Sequence, residues 1–353
     1  MNLSEYGNIT TQPLATGLSL GRVVALSHQI LTVVTQAGRF QAQLAGWLVN
    51  FAVDPEDFPT VGDWVQLRLP QNREDVAYIE RLNPRSSVFL RKAAGRQNAA
   101  QLIAANVDWV LLCMALDHNF NLRRLERYLA VAAASGAKPA VVLTKADQTH
   151  ALEAQLAQVA ALVSTPTPLI VCDATQPDGL VALADFMQPS QTYALLGSSG
   201  VGKTTLINQL SGKVVGATQA VRVRDAHGRH TTTSRQLVVL PNGSIVIDTP
   251  GMRELGLLDA DVNATFNDIL ALAAQCRFKD CTHQHEPGCA VLAAIASGAL
   301  TQARLDSFLQ LQQEAATNTQ RRGKAREQAK IKRMFGSQKQ MQAMRKASHK
   351  RLR

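Results

Sequence analysis

The residues with the plainest chemistry are Gly197-Ser198-Ser199-Gly200-Val201-Gly202-Lys203-Thr204, which complete the pattern G-x-x-x-x-G-K-[S/T] of a phosphate-binding loop. Glycines let backbone N–H groups turn inward around anionic oxygens, and the N-terminus of a following helix faces the same oxygens. Lys203 is expected to meet the β- and γ-phosphates and Thr204 to ligate Mg²⁺, with Thr205 carrying the loop into its helix. Asp248-Thr-Pro-Gly251 follows 45 residues after Lys203. There Asp248 is expected in the Mg²⁺ shell, and the Gly251 N–H can sense the γ-phosphate. Upstream, Thr144-Lys145-Ala146-Asp147 closes an apolar run. The Asp147 carboxylate can accept two hydrogen bonds from guanine N1–H and its 2-amino group, which adenine cannot return. Lys145 would pack over the base. Together these residues predict Mg²⁺-dependent hydrolysis of GTP.

Further parts of such a site are less sharply drawn. A second base loop is expected near Cys172-Asp173-Ala174, through backbone N–H groups. Gly228-Arg-His230-Thr231-Thr232-Thr233 lies between the phosphate loop and Asp248, where a mobile loop needs a threonine for Mg²⁺; the three are not distinguished by sequence. Met252 follows Gly251, where many GTPases carry a water-orienting glutamine. Methionine cannot orient water, so His230 is the candidate catalytic residue; the other reading of His230 is packing or RNA contact. The base reader precedes the phosphate loop, the reverse of the ordinary order. A rotated order leaves the cradle intact, because ligands bind at strand C-terminal ends however the strands are joined. It also runs Asp248–Gly251 straight into the C-terminal region, so nucleotide state could reposition that end.

Cys276-x4-Cys281-x-His283-x5-Cys289 supplies three thiolates and an imidazole, a closed structural zinc shell, with His285 as the alternative to His283. Three of five cysteines sit in these 14 residues, which reads as metal binding in a reducing compartment. No apolar run spans a bilayer, and Met1-Asn-Leu-Ser-Glu does not open a secretory signal, so a cytoplasmic protein without membrane contact is expected. The net charge of +10 is uneven: residues 321–353 hold 13 Lys/Arg and only Glu327, giving +12, and the remainder carries −2. Such a tail suits a polyanion partner, or is a solvated end.

The elements that must position these groups fall into three blocks. Leu20–Leu26, Ile30–Thr35, Asp63–Leu69 and Val76–Ile79 read as short strands of a small barrel of the OB type. Residues 84–98 read as a basic, turn-rich connector. Strand runs at 107–114, 139–144, 168–172 and 193–196 then alternate with helices, and Gln236–Leu240 with Ser244–Asp248 read as a hairpin. This predicts a doubly wound, mostly parallel sheet covered on both faces. Beyond about 257 the chain reads as helical, interrupted by the cysteines, with Leu305, Phe308 and Leu309 on one stripe.

These residues, with Asn121-Leu-Arg-Arg-Leu-Glu-Arg127, resemble the ribosome small-subunit-dependent GTPase A family, circularly permuted GTPases of small-subunit biogenesis. The resemblance spans nearly the whole chain. It implies a multi-domain α/β protein: an OB-like barrel (1–85), a circularly permuted P-loop GTPase domain (86–257), a helical zinc-binding domain (258–320) and a basic tail (321–353). It implies slow GTP hydrolysis to GDP alone and faster turnover on the small ribosomal subunit, late in maturation. Barrel and zinc domain would contact rRNA near the decoding region, and the protein is expected to act as a monomer. Cys172-Asp173 departs from the small, Ser-Ala-like residues usual in the family's second base loop. Two other readings are an RNA-binding scaffold with a degenerate nucleotide site and a signalling or metabolic GTPase with a protein partner.

Overall fold

The computed structural model describes residues 2–7, 13–27, 30–52, 54–72, 75–92, 100–163, 166–213, 235–248 and 261–335. Five strands come first: β1 (Ser19–Ser27), β2 (Ile30–Thr35), β3 (Gly38–Leu44), β4 (Trp64–Arg68) and β5 (Ala77–Leu82), with a short helix α1 (Gly46–Phe51) after β3. They pair in the order β1-β2-β3-β5-β4, and β4 returns to β1, so the sheet closes into a barrel with no free edge inside it. Its interior is filled by Val23, Leu31, Val33, Phe40, Val65, Leu67 and Ile79. The strand β3 escapes the apolar pattern because Arg39, Gln41 and Gln43 face out from it.

The stretch expected as a connector contains β6 (Val88–Lys92), which pairs with β7 (Ala100–Ala105) in a two-stranded sheet. Arg91 on β6 donates to Gln101 on β7 at 2.8 Å, so basic residues that suggested a loop sit on a hairpin.

The larger sheet is built from β8 (Trp109–Ala115), β9 (Lys138–Thr144), β10 (Leu169–Val171), β11 (Thr192–Leu196), β12 (Arg235–Val239) and β13 (Ile245–Asp248). Their order is β10-β9-β8-β11-β13-β12, parallel except for β12. Side chains alternate across it, as the two-residue strand period requires. Val110, Leu112 and Met114 face α2 (Leu122–Ser135) and α3 (Leu152–Leu162), while Leu111, Cys113 and Ala115 face α4 (Val181–Phe186) and α5 (Lys203–Ser211). Both faces are therefore covered, which explains the continuous apolar runs.

Barrel and sheet are not separate. Strand β12 pairs antiparallel with β1 (Ala25 opposite Gln236), producing one sheet of 11 strands. Arg22 pins this join from inside. Its guanidinium lies over the Trp64 ring and donates to the carbonyls of Tyr6, Gly62 (3.3 Å) and Asn106 (3.1 Å) and to Thr192 Oγ1 (2.9 Å). Burial lowers its pKa to about 10, against the pull of Asp108 and Asp63, so it remains a cation at neutral pH.

The C-terminal region holds α6 (Val262–Thr265), α7 (Asn267–Ala273), α8 (Ala290–Ala296) and the long α9 (Gln302–Phe335). Leu305 and Phe308 on α9 are buried against Phe266, Ile269 and α2. The helix continues into the basic segment as far as Phe335. Among the described residues no helix is long and apolar enough to cross a membrane.

Candidate nucleotide site and metal cluster

Strand β11 ends at Leu196, the loop occupies 197–202, and α5 begins at Lys203. Gly197 is required by crowding: a Cβ there would lie 2.5 Å from the Cys113 carbonyl of β8. Gly202 caps α5 with φ +94°, left-handed backbone that glycine adopts without a steric cost. Lys203 Nζ donates to the carbonyls of Gly197 (2.5 Å) and Ser198 (2.6 Å), which holds a cation at the mouth of the loop. Ser199 and Gly200 are exposed there, and Val201 is buried beneath them. Thr204, Thr205 and Asp248 are half-buried, Asp248 being the last residue of β13. A neighbour outside the motif also reaches the loop: Arg124 of α2 donates to Ser198 Oγ at 2.9 Å. Asn121 caps that helix through the Arg124 N–H (3.0 Å), fixing where Arg124 emerges.

Thr144–Asp147, the residues expected to read the base, lie beside this loop because β9 and β11 flank β8. Thr144, the last residue of β9, donates through Oγ1 to the Val201 carbonyl at 2.7 Å and ties the two motifs together. Lys145 turns the chain with φ +58°, and Ala146–Gln148 forms one turn of 3₁₀ helix containing Asp147. The Ala146 N–H donates to the Cys172 carbonyl (3.3 Å), so the loop after β10 meets the base loop through backbone. Asp173 is committed to its own turn, accepting from the Thr175 N–H (2.9 Å) and hydroxyl (2.6 Å). Cys172 is buried and its thiol is pushed up to about 11 by burial, so it packs as a neutral side chain.

The Cys276, Cys281, His283 and Cys289 ligand atoms all lie within 4.8 Å of one another. Cys276 Sγ is 3.7 Å from His283 Nδ1 and 3.9 Å from Cys289 Sγ, and His283 Nδ1 is 3.4 Å from Cys289 Sγ. A tetrahedral zinc with bonds of about 2.3 Å to sulfur and about 2.0 Å to nitrogen spaces such ligands roughly 3.5–3.8 Å apart. The donor set therefore fits a zinc ion. His283 adopts φ +59° to reach it, and His285 stands outside the group. The Glu286 carboxylate stitches the intervening loop, accepting from the N–H groups of Thr282 (2.8 Å), Gln284 (3.0 Å) and His285 (3.1 Å).

The family model for RsgA GTPase matches residues 82–258. A model for the ABC transporter also matches 185–348, a stretch that contains the phosphate loop and leaves out Thr144–Asp147. Small ribosomal subunit biogenesis GTPase RsgA 2 of Lactiplantibacillus plantarum is 46% identical over 99% of both chains. The corresponding protein of Opitutus terrae is 46% identical over 86% of each. The chain belongs to the RsgA GTPase family. Two solved structures share the fold: YjeQ from Thermotoga maritima (TM-score 0.60, 22% identity, 85% of this chain and 99% of that one) and YloQ, a circularly permuted GTPase (0.59, 22%, 87% and 98%).

This RsgA-family chain is a GTPase, and its strand order carries the permutation that the motif order predicted. Thr144, Lys145, Ala146, Asp147 and residues 197–205 converge at the C-terminal ends of β9 and β11. Gly251, Met252, His230 and Thr231–Thr233 lie outside the described residues. Arg124, inside the segment Asn121–Arg127, and Asp117 belong to neither the phosphate-loop nor the base-loop motif. The available signal was position: each follows the C-terminal end of β8, where ligands bind in an open α/β sheet.

Proposed function

We propose that this chain binds the small ribosomal subunit and acts late in its maturation, hydrolysing GTP to GDP and phosphate faster on the subunit than alone. The observation that carries this reading is the Thr144–Val201 hydrogen bond, which ties a guanine-type base loop to a complete phosphate loop in one cradle. Relatives named for small-subunit biogenesis align over nearly the whole chain and supply the partner. In the reaction, water attacks the γ-phosphorus and the bond to the β-phosphate oxygen breaks. Lys203 neutralises charge on the β- and γ-oxygens, and Asp147 selects guanine through its N1–H and 2-amino group. Thr204 and Asp248 would hold Mg²⁺, which would supply positive charge to offset the charge developing on the phosphates. Met252 leaves the water to another group, and His230 is proposed to orient it. One of Thr231, Thr232 and Thr233 is proposed to complete the Mg²⁺ shell.

Cys276, Cys281, His283 and Cys289 would hold one structural zinc. The functional units are proposed as 1–85, 86–257, 258–320 and 321–353. The barrel and zinc unit would contact rRNA near the decoding region, while residues 321–353, with charge +12, give salt-dependent affinity. The protein is proposed to work as a cytoplasmic monomer. The test is GTP turnover by the purified chain, with and without small subunits, at two salt concentrations. Stimulation that fades as salt rises supports the proposal. Turnover that ignores subunits removes the ribosomal partner, and no turnover with subunits present leaves only an RNA-binding scaffold. His230→Ala with unchanged turnover and GTP affinity would remove its catalytic role.

A further inference from the structure

Asp117 lies two residues beyond β8 and outside every motif of the nucleotide cradle. Strands β8 and β9 are parallel and in register to their last residues, Ala115 opposite Thr144. The Leu116 N–H donates to the Thr144 carbonyl (2.9 Å) and extends that ladder. The next residues on each chain, Asp117 and Lys145, therefore leave the sheet side by side. Lys145 Nζ donates to Asp117 Oδ2 at 2.8 Å, and Asp117 Oδ1 accepts from the Asn119 N–H at 2.8 Å. The Asp117 side chain is 5% exposed and that of Lys145 is 29% exposed, so the ion pair sits at the lip of the cradle.

From this geometry we infer that Asp117 is a positioning residue for nucleotide binding, which holds the Lys145 stem rigid as one wall of the base slot. The inference rests on the guanine-nucleotide reading of this cradle. A free lysine carries rotamer entropy in all four of its side-chain torsions, which binding would have to remove. Here Asp117 anchors the ammonium, so the four-carbon stem is laid out as an apolar strip. Preorganisation of this kind raises affinity by lowering the ordering cost. The contact it prepares is with the face of the base, whereas Asp147 reads the edge. The two roles therefore separate: Asp117 should serve any purine nucleotide, and Asp147 only guanine.

The test is equilibrium binding of GDP and of IDP, which lacks the 2-amino group, to the full chain and its variants. Asp117→Ala should weaken both nucleotides by the same factor, about tenfold, the scale of a hydrogen bond to a charged group. Asp117→Asn keeps a hydrogen-bond acceptor for Lys145 and should lie between Asp117→Ala and wild type. Lys145→Ala should cost at least as much as Asp117→Ala, and the double variant no more than Lys145→Ala alone. Asp147→Asn should instead erase the preference for GDP over IDP. Wild-type affinity in Asp117→Ala and Asp117→Asn would overturn the inference, as would full additivity with Lys145→Ala or a loss confined to GDP. A wild-type chain that bound neither nucleotide would overturn the guanine reading itself, and the inference with it. Thermal melting of the same variants separates the roles: an ion pair serving stability alone would lower the melting temperature and leave both affinities where they were.

Discussion

The Cys276–Cys289 cluster and the nucleotide cradle differ first in how far along the chain their parts lie. The cluster gathers four ligands from 14 residues, across a loop stitched by Glu286 and closed at the N-terminus of α8, where Cys289 Sγ accepts from the Leu292 N–H at 3.4 Å. The cradle draws on the ends of β8, β9, β11 and β13, from Asp117 to Asp248. A loop with almost no core of its own can be held by a metal, whose binding energy is also its folding energy. The cradle's geometry exists only once the parallel sheet has formed, so its stability is the stability of the sheet. The difference also sets what each site does. Four protein ligands leave a zinc no open position for chemistry, while the cradle keeps Ser199, Gly200 and the Lys203 ammonium at its mouth.

The largest effect should come from removing the proposed zinc. Chelation, or Cys276→Ser, should release residues 276–289 and loosen α7 and α8. Structural zinc contributes about 10–16 kcal/mol in zinc-finger peptides, and a loop this small has nothing comparable to replace it. Hydrogen exchange should show the segment opening, while GDP affinity stays within about twofold, as expected for separate sites. A joint loss of zinc and GDP binding would break the contrast between the two regions. Lys203→Ala is the converse test. It should weaken GDP binding by about 4 kcal/mol, close to a thousandfold, because phosphate loses a desolvated cation. The melting temperature should fall far less, by no more than the loss of its bonds to the loop-mouth carbonyls.

The same contrast explains what could be read from sequence. The grouping of Cys276, Cys281, His283 and Cys289 into one cluster was legible, because spacing within a short loop nearly determines geometry. The strand-end positions of the phosphate-loop motif and of Thr144–Asp147, and the rotated strand order, were legible because each motif ends a strand and strand ends share one edge. The parts that escaped depend on contacts between distant segments. Strand β3 hid because Arg39, Gln41 and Gln43 dilute its apolar pattern. The β6–β7 hairpin hid behind Arg91 and Lys92, whose charges suit a loop equally well. The β1–β12 join has no local sign, since it rests on a pairing across more than 200 residues and on a buried Arg22 that composition would place outside. Asp117 is one acid among 27 until the register of β8 and β9 puts it beside Lys145.

Helix α2, which reaches the loop through Arg124 and packs against α9 through Glu126, offers smaller effects that sharpen the comparison. Glu126 is buried in the middle of this helix, paired with Arg304 at 2.7 Å and accepting from the Ser307 hydroxyl on α9. Glu126→Ala should cost about 3 kcal/mol, the low end for a broken buried pair, because Arg304 keeps its second partner Asp268 at 2.8 Å. Calorimetry of the full chain would check this. Two residues earlier, Arg124→Ala removes the bond to Ser198 and should cost about 1 kcal/mol, close to fivefold in GDP affinity. Ser198→Ala should give a similar loss, and the double variant little more. Additive losses would mean that the two side chains act on the loop separately.

The smallest effect is a pH dependence at the other end of the Arg304 network. Asp268 is half-exposed; burial pushes its pKa up, but the Arg304 hydrogen bonds and charge outweigh this and hold it below the ordinary value of 3.8. A carboxylate with a depressed folded pKa contributes stability above its unfolded pKa. That contribution is lost as pH falls through the folded value, once both states carry the proton. Asp268→Asn has no such titration. The melting temperature of wild type should therefore exceed that of Asp268→Asn by a constant margin from neutral pH down to about 5 and by a shrinking margin below about 4. A margin that stayed constant down to pH 2.5 would mean that Arg304 does not hold this carboxylate ionised, leaving Glu126 as the partner that fixes α9 to α2.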